Sequence, residues 1–336
     1  MPSYPYSIEV QNLTKFFGSK KAISDISFTI EKGEVIGLLG PNGAGKSTTM
    51  RILAGLIPAS SGIARINGIS ISLDPQSAKR ELAFMPENNP LPEDLRVSEY
   101  LTHRAHLKEL PRSLQKKRVE EVMELCDLAR TANKKMIRTL SKGFRQRIGI
   151  ADALLGQPKI LILDEPTIGL DPHQILVIRT LIKDLQEETT IVISSHILPE
   201  IEVSCDKVII INQGLIIGQG TNTSLRKDFC PESSYKISAI THGLSLKEII
   251  LRLDPLANIL EENQKEGITT IHFTTLLPPH FSQTLIDHIQ QHPSWKLWEI
   301  VRSEPTLEDI FLAATKPSWK IPTYKFKQDS NLRIAS

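Results

Sequence analysis

The stretch that most constrains the fold runs from Val35 to Leu56. An apolar run, Val35 to Leu39, ends in Gly40-Pro41-Asn42-Gly43-Ala44-Gly45-Lys46-Ser47-Thr48, and apolar residues then recur at helical spacing from Lys46 to Leu56. Strand, glycine-rich turn and helix in that order are the context in which the pattern G-x-x-x-x-G-K-[ST] binds phosphate. The glycines let successive backbone N–H groups face one anionic cradle, and the helix N-terminus adds positive potential. Lys46 is placed to reach β and γ phosphates, and the Ser47 hydroxyl to ligate Mg²⁺. Residues Gly40 to Thr48 are therefore the candidate nucleotide-binding loop.

Other apolar runs extend this into a parallel sheet. Ile160 to Leu163 follows Pro158 and delivers Asp164 and Glu165 at the C-terminal edge of a strand, where α/β folds place ligands. Asp164 suits a role in holding Mg²⁺, and Glu165 faces a different way as a candidate base for an attacking water. Thr190 to Ser194 reads as a third strand after a helical stretch from Gln174 to Glu187. Leu82 to Met85 is also strand-like. Ile8 to Leu13 and Ile26 to Ile30 read as shorter strands upstream. The region from 91 to 155 has helical periodicity almost throughout, with breaks at Pro111 and at Ser141 to Gly143, and reads as a helical insertion beside the sheet.

Composition bounds the function classes. The chain has 336 residues, long enough for two domains, and 40 basic against 38 acidic residues leave a net charge of +2. So even a balance argues against a protein whose first task is to coat nucleic acid. The greasy stretch from Val208 to Ile217 is interrupted by Asn212, Gln213 and Gly214, too soon for a spanning helix. The first ten residues lack the basic stub and apolar run of a signal peptide, and Cys126, Cys205 and Cys230 form no CxxC pair or even disulfide set; a cytosolic location is the expectation.

Four further motifs stand in the order and spacing of one family. Leu140-Ser141-Lys142-Gly143-Phe144-Arg145-Gln146-Arg147 resembles the signature usually written LSGGQ, Gly169-Leu170-Asp171-Pro172 the D-loop, His196 the switch histidine, and Phe17 the aromatic that stacks on adenine. From Ile8 to Gly220 the chain thus resembles an ATP-binding subunit of ABC transporters. The resemblance implies a P-loop NTPase cassette with a helical subdomain, and a head-to-tail pair of cassettes, a homodimer being permitted by the intact motifs. ATP is then held between the loop of one copy and Ser141 and Gly143 of the other, with His196 at the γ phosphate and Asp171 linking the two sites. It further implies a separate integral membrane permease, so that the chain sits peripherally on the cytoplasmic face of the membrane.

Two departures narrow this. Glu87 stands where most relatives carry the Q-loop glutamine, next to Mg²⁺, and Lys142 replaces a signature glycine. We take Lys142 as a candidate to offset the charge of Glu87 across the closed dimer; a solvated Lys142 is the alternative. Glu87, Ser141-Lys142-Gly143 and the closing stretch Glu304 to Leu312 resemble the gliding-motility-type branch of type-2 exporters. A soluble ABC ATPase acting on ribosomes or DNA and a P-loop kinase are the rivals; one cassette and no sustained heptads count against the former.

The expected organisation is a nucleotide-binding domain over 7–229 with its helical subdomain at about 91–155, a small α+β accessory domain over 230–315, and a basic, aromatic tail over 316–336. In the accessory domain, strands are expected at Tyr235 to Ile240, Ile271 to Thr275 and Trp295 to Val301. Helices are expected at Leu246 to Leu253, Phe281 to Gln291 and Leu307 to Ala314, the last capped by Thr306 with Asp309. The tail is either solvated or in contact with anionic lipid or a membrane partner.

Overall fold

The computed structural model describes residues 4–315, apart from 244, 266, 279 and 293. The tail expected over 316–336 lies outside the described residues. The chain begins with two long antiparallel strands, β1 (Tyr6–Phe17) and β2 (Lys20–Glu31), continuous where sequence periodicity marked only Ile8 to Leu13 and Ile26 to Ile30. Next come β3 (Val35–Leu39), α1 (Lys46–Leu53), β4 (Ser61–Ile66), β5 (Ile69–Ser70), α2 (Pro75–Glu81) and β6 (Leu82–Met85). The segment β4–β5–α2 has no counterpart in the sequence reading. Its strands are short, and β4 is exposed over its first half, which erases the alternation.

The helical insertion is α3 (Val97–Leu107), α4 (Arg112–Leu125), a single 3₁₀ turn and α5 (Lys142–Leu154), with breaks where Pro111 and Ser141 stand. The cassette continues with β7 (Ile160–Asp164), α6 (Pro172–Leu185), β8 (Thr190–Ser194), α7 (Leu198–Ser204), β9 (Lys207–Asn212), β10 (Leu215–Gly220) and α8 (Asn222–Phe229). The greasy stretch from 208 to 217 is thus a hairpin. Gln213 and Gly214, both at positive φ, make its two-residue turn.

Among the described residues the strands form three sheets. The central one, β10-β9-β3-β8-β7-β6, is parallel except for β10. Its side chains alternate between two cores. Val35, Leu161, Leu163, Ile191, Ile193 and Ile210 pack under the helices, whereas Ile36, Leu38, Ile160, Ile162, Val192 and Ile211 meet the antiparallel sheet β2-β1-β4-β5 and α1. Burial on both faces explains why these strands read as unbroken aliphatic runs. Each such side chain contributes about 1.5–3 kcal/mol by leaving water.

The accessory region holds β11 (Ser233–Ile240), α9 (Leu246–Leu253), β12 (Asn258–Lys265), β13 (Ile268–Thr275), α10 (Phe281–Gln290), β14 (Lys296–Ser303) and α11 (Leu307–Thr315). Its sheet, β12-β13-β11-β14, is antiparallel and buries Tyr235, Ile237, Ile271 and Phe273 against Leu246, Ile250, Phe281 and Leu285. Composition from Cys230 to Ser234 suggests a linker, but β11 already begins at Ser233. β12 is an edge strand with almost every residue exposed, so it left no apolar period to read.

The last helix departs from the expected domain boundary at 315. The buried face of α11 joins the cassette rather than the accessory core: Leu307, Ile310 and Ala314 enter the core of the cassette. The predicted cap at its start is present, with Thr306 N–H donating to Asp309 Oδ2 at 2.9 Å and Asp309 N–H to Thr306 Oγ1 at 3.3 Å.

Candidate nucleotide site

The loop between β3 and α1 follows from its glycines. A Cβ on Gly40 would collide with the Ile211 carbonyl oxygen, and Gly43 and Gly45 hold φ of 79° and 116°, which side chains resist. The backbone can therefore wrap tightly, and the Thr49 hydroxyl fastens the first turn of α1 by donating to Gly45 O at 2.9 Å. Lys46 is 6% exposed, and its ammonium donates to Gly40 O at 2.8 Å, lying over the loop it serves. The loop opens on a cavity of about 640 Å³, to which Asn42 to Thr48, Phe17, Glu87 and Glu165 contribute. Phe17, 51% exposed, stands beside the β1–β2 turn at the cavity's edge, with Lys15 Nζ 5.1 Å from its ring centroid.

The end of β7 supplies the carboxylates. Asp164 Oδ1 accepts from Ser47 Oγ at 3.2 Å and from Ser194 Oγ at 2.6 Å. Glu165, the next residue, adopts φ 51°, the left-handed region that non-glycine residues enter at a cost of about 1–3 kcal/mol. That turn is what sends the two neighbouring carboxylates apart. Glu165 Oε1 lies 4.0 Å from Lys46 Nζ, and Oε2 lies 2.7 Å from His196 Nδ1. The conformation is held by β8, since Glu165 N–H donates to Ser194 Oγ at 2.9 Å and to Ser194 O at 3.2 Å. Ser194 thus supports both carboxylates.

Two hard oxygen donors, Ser47 and Asp164, stand side by side against the loop, with Glu87 on the same cavity. Such a set fits Mg²⁺, which binds through one or two protein ligands and takes the rest from water and substrate phosphates.

The remaining predicted residues stand elsewhere. Ser141 is the exposed residue before α5, with no side-chain capping bond, and Gly143 lies in the first turn, whose N–H groups have no partner within the helix. The first helical bond runs from Arg145 N to Ser141 O, so the helix starts at Lys142. Asp171 caps α6, its Oδ1 accepting from Gln174 N at 2.9 Å. None of Ser141, Gly143 or Asp171 lines the cavity at Lys46. A single chain therefore brings Phe17, Lys46, Ser47, Glu87, Asp164, Glu165 and His196 to one place and leaves Ser141, Gly143 and Asp171 on another.

Lys142 and Glu87 line one groove of the same chain, a cavity of about 450 Å³ shared with Asn89, Arg145 and Gln146. Lys142 Nζ also lies against Gly169. Within one chain no ion pair joins Lys142 to Glu87 among the described residues, although both border this groove. Among the described residues, three buried polar atoms of this groove find no hydrogen-bond partner: Asn89 Nδ2, Arg145 Nε and Gln146 Oε1.

Some contributors escaped the sequence reading. Lys20 and Lys21, at the start of β2, and Gln213 also line the nucleotide cavity. Paired lysines just after Gly18 are a signal that positive charge faces the phosphate loop. Ser194 had none, because a serine ending a strand does not reveal what its hydroxyl meets.

Comparison with known proteins points to one family. The family model described as ABC transporter matches residues 23–168. The linearmycin resistance ATP-binding protein LnrL of Bacillus subtilis (strain 168) is 32% identical over 314 residues, covering 92% of this chain and 98% of that protein. Among solved structures, an ATP-binding subunit of an ABC transporter superposes with a TM-score of 0.61 at 30% identity, covering 73% of this chain and 98% of that one. The dimeric cassette MJ0796 gives 0.59 at 26%, covering 64% and 98%. The chain belongs to the ATP-binding subunits of the ABC transporter family.

Proposed function

We propose that two copies of the chain close head to tail on two molecules of Mg-ATP, hydrolyse it, and so drive movement of a substrate through a separate membrane permease of the type-2 exporter class. What carries the reading is the arrangement around Glu165, a buried carboxylate between Lys46 and His196 at the mouth of a phosphate loop.

The phosphates enter the cradle of N–H groups from Gly40 to Thr48, and Lys46 turns from Gly40 O to the β and γ oxygens. Ser47, Asp164 and Glu87 would hold a magnesium ion, which would supply positive charge to offset that on the phosphate oxygens. Phe17 stacks on adenine. Glu165 orients the attacking water and accepts its proton as the bond from the γ phosphorus to the ADP oxygen breaks. His196 contacts the γ phosphate while keeping Glu165 Oε2 in place. Ser141 and the Gly143 N–H reach the γ phosphate of the opposite copy, and Asp171 joins the two sites. The division of these residues between two surfaces of one chain supports a paired site, as does the dimeric form of the MJ0796 cassette.

Glu87 borders both the nucleotide cavity and the groove with its partnerless polar atoms. A permease segment seated in that groove would sense the nucleotide through it. Among the described residues no helix is long and apolar enough to cross a membrane, so the pathway belongs to the partner. The exporter class and its gliding-motility-type branch rest on Glu87, Ser141-Lys142-Gly143 and the closing stretch from Glu304.

Affinity capture of the full chain from detergent-solubilised membranes tests the reading. Recovery of an integral membrane protein with several spans, released by Glu87→Arg or Gln146→Arg, is the outcome expected. Recovery with ribosomes and no membrane protein would defeat it.

A further inference from the structure

A cavity of about 780 Å³ lies between the end of α8, the accessory sheet and the outward side of α11. It is distinct from both cavities above. α11 is apolar on two sides: Leu307 and Ile310 are fully buried in the cassette, while Leu312, 54% exposed, lines this second cavity together with Ala313. Leu260, on the edge strand β12, faces the same space. Apolar side chains gathered around a hollow of this size call for a cover, because each gains by leaving water. Glu232 and Asp309 give the hollow an acidic rim, while Glu304 beside them is already paired with Arg226 and Arg302.

The covering segment is indicated by where the described chain stops. Thr315, its last residue, is itself part of the cavity wall. The sequence continues Lys316-Pro317-Ser318-Trp319-Lys320-Ile321-Pro322, with Tyr324, Lys325, Phe326 and Lys327 beyond. Trp319 follows within about 14 Å of extended chain, and the volume is that of a site able to take large aromatic groups. Lysines alternate with the apolar residues and complement the acidic rim. Two prolines reduce the conformational freedom lost on seating such a segment.

We propose that residues 316–327 of the chain's own tail occupy this cavity, with Trp319 as the anchor and Lys316 and Lys320 beside Glu232 and Asp309. The tail then fastens the accessory sheet to α8 and α11, joining the two halves of the chain at a place remote from the nucleotide.

Tryptophan fluorescence of the full-length protein, native minus Trp319→Phe, isolates the contribution of Trp319. The proposal requires blue-shifted emission and severalfold weaker acrylamide quenching than free tryptophan shows, unchanged by dilution and by phosphatidylglycerol vesicles. Leu312→Arg, which changes an exposed position, should return Trp319 to solvent-like emission while ATP turnover persists. Solvent-like emission in the native protein overturns the proposal. So does protection that appears only with anionic vesicles, which assigns the tail to lipid, or only at high concentration, which assigns it to a second copy. Protection that survives Leu312→Arg places Trp319 elsewhere and also overturns it.

Discussion

In the proposed reaction Glu165 is the proton acceptor, and its backbone is held where an ordinary residue does not rest. Ser194 is what makes this affordable, through two hydrogen bonds to the Glu165 N–H and one to Asp164. Ser194→Ala should lower stability by about 1–3 kcal/mol in denaturant unfolding, as buried polar partners are stranded. The glycines divide into two kinds. Gly40→Ala drives a Cβ into the backbone oxygen of Ile211, which cannot move aside, and should cost about 1–3 kcal/mol. Gly143→Ala meets only the end of the Gln174 side chain, which can swing away, so thermal unfolding should shift far less. Burial pushes the Cys126 thiol up to about 12, and alkylation at neutral pH should leave it unmodified until the protein unfolds. Lys46, Asp164 and Glu165 were readable from sequence because chemistry fixes their spacing relative to a strand and a turn. Ser194, Lys20 and Lys21 serve the same site through three-dimensional proximity, which spacing does not encode.

At the level of elements, legibility followed burial. β3, β7 and β8, covered on both faces, stood out as aliphatic runs, and α9 with its capping box was bounded on sequence alone. The half-exposed β4 and the edge strand β12 offered no period. For α11 the sequence carried a cap and an apolar stripe but not the surface that receives the stripe. That surface is the cassette, between α7, α8 and β10. Truncating Ile310 to Ala should therefore cost about 2–5 kcal/mol in unfolding of the nucleotide-binding domain, read by loss of ATP-dependent protection. An effect confined to the accessory sheet would contradict this packing.

For the whole molecule, the separation of Ser141 and Gly143 from Lys46 and Glu165 has a functional consequence. Mixing Ser141→Arg with Glu165→Gln chains should restore part of the ATPase activity that each lacks alone, since the mixed pair contains one complete site. No recovery on mixing would show that the residues act within one chain. The central claim, that the Glu165 carboxylate activates the water that cleaves ATP, is tested most directly by single-turnover hydrolysis in Glu165→Gln. The account predicts a rate lowered by about 10²–10⁴ with ATP affinity essentially unchanged, because only the proton acceptor is lost. A variant that hydrolyses ATP within about tenfold of the native rate would contradict it.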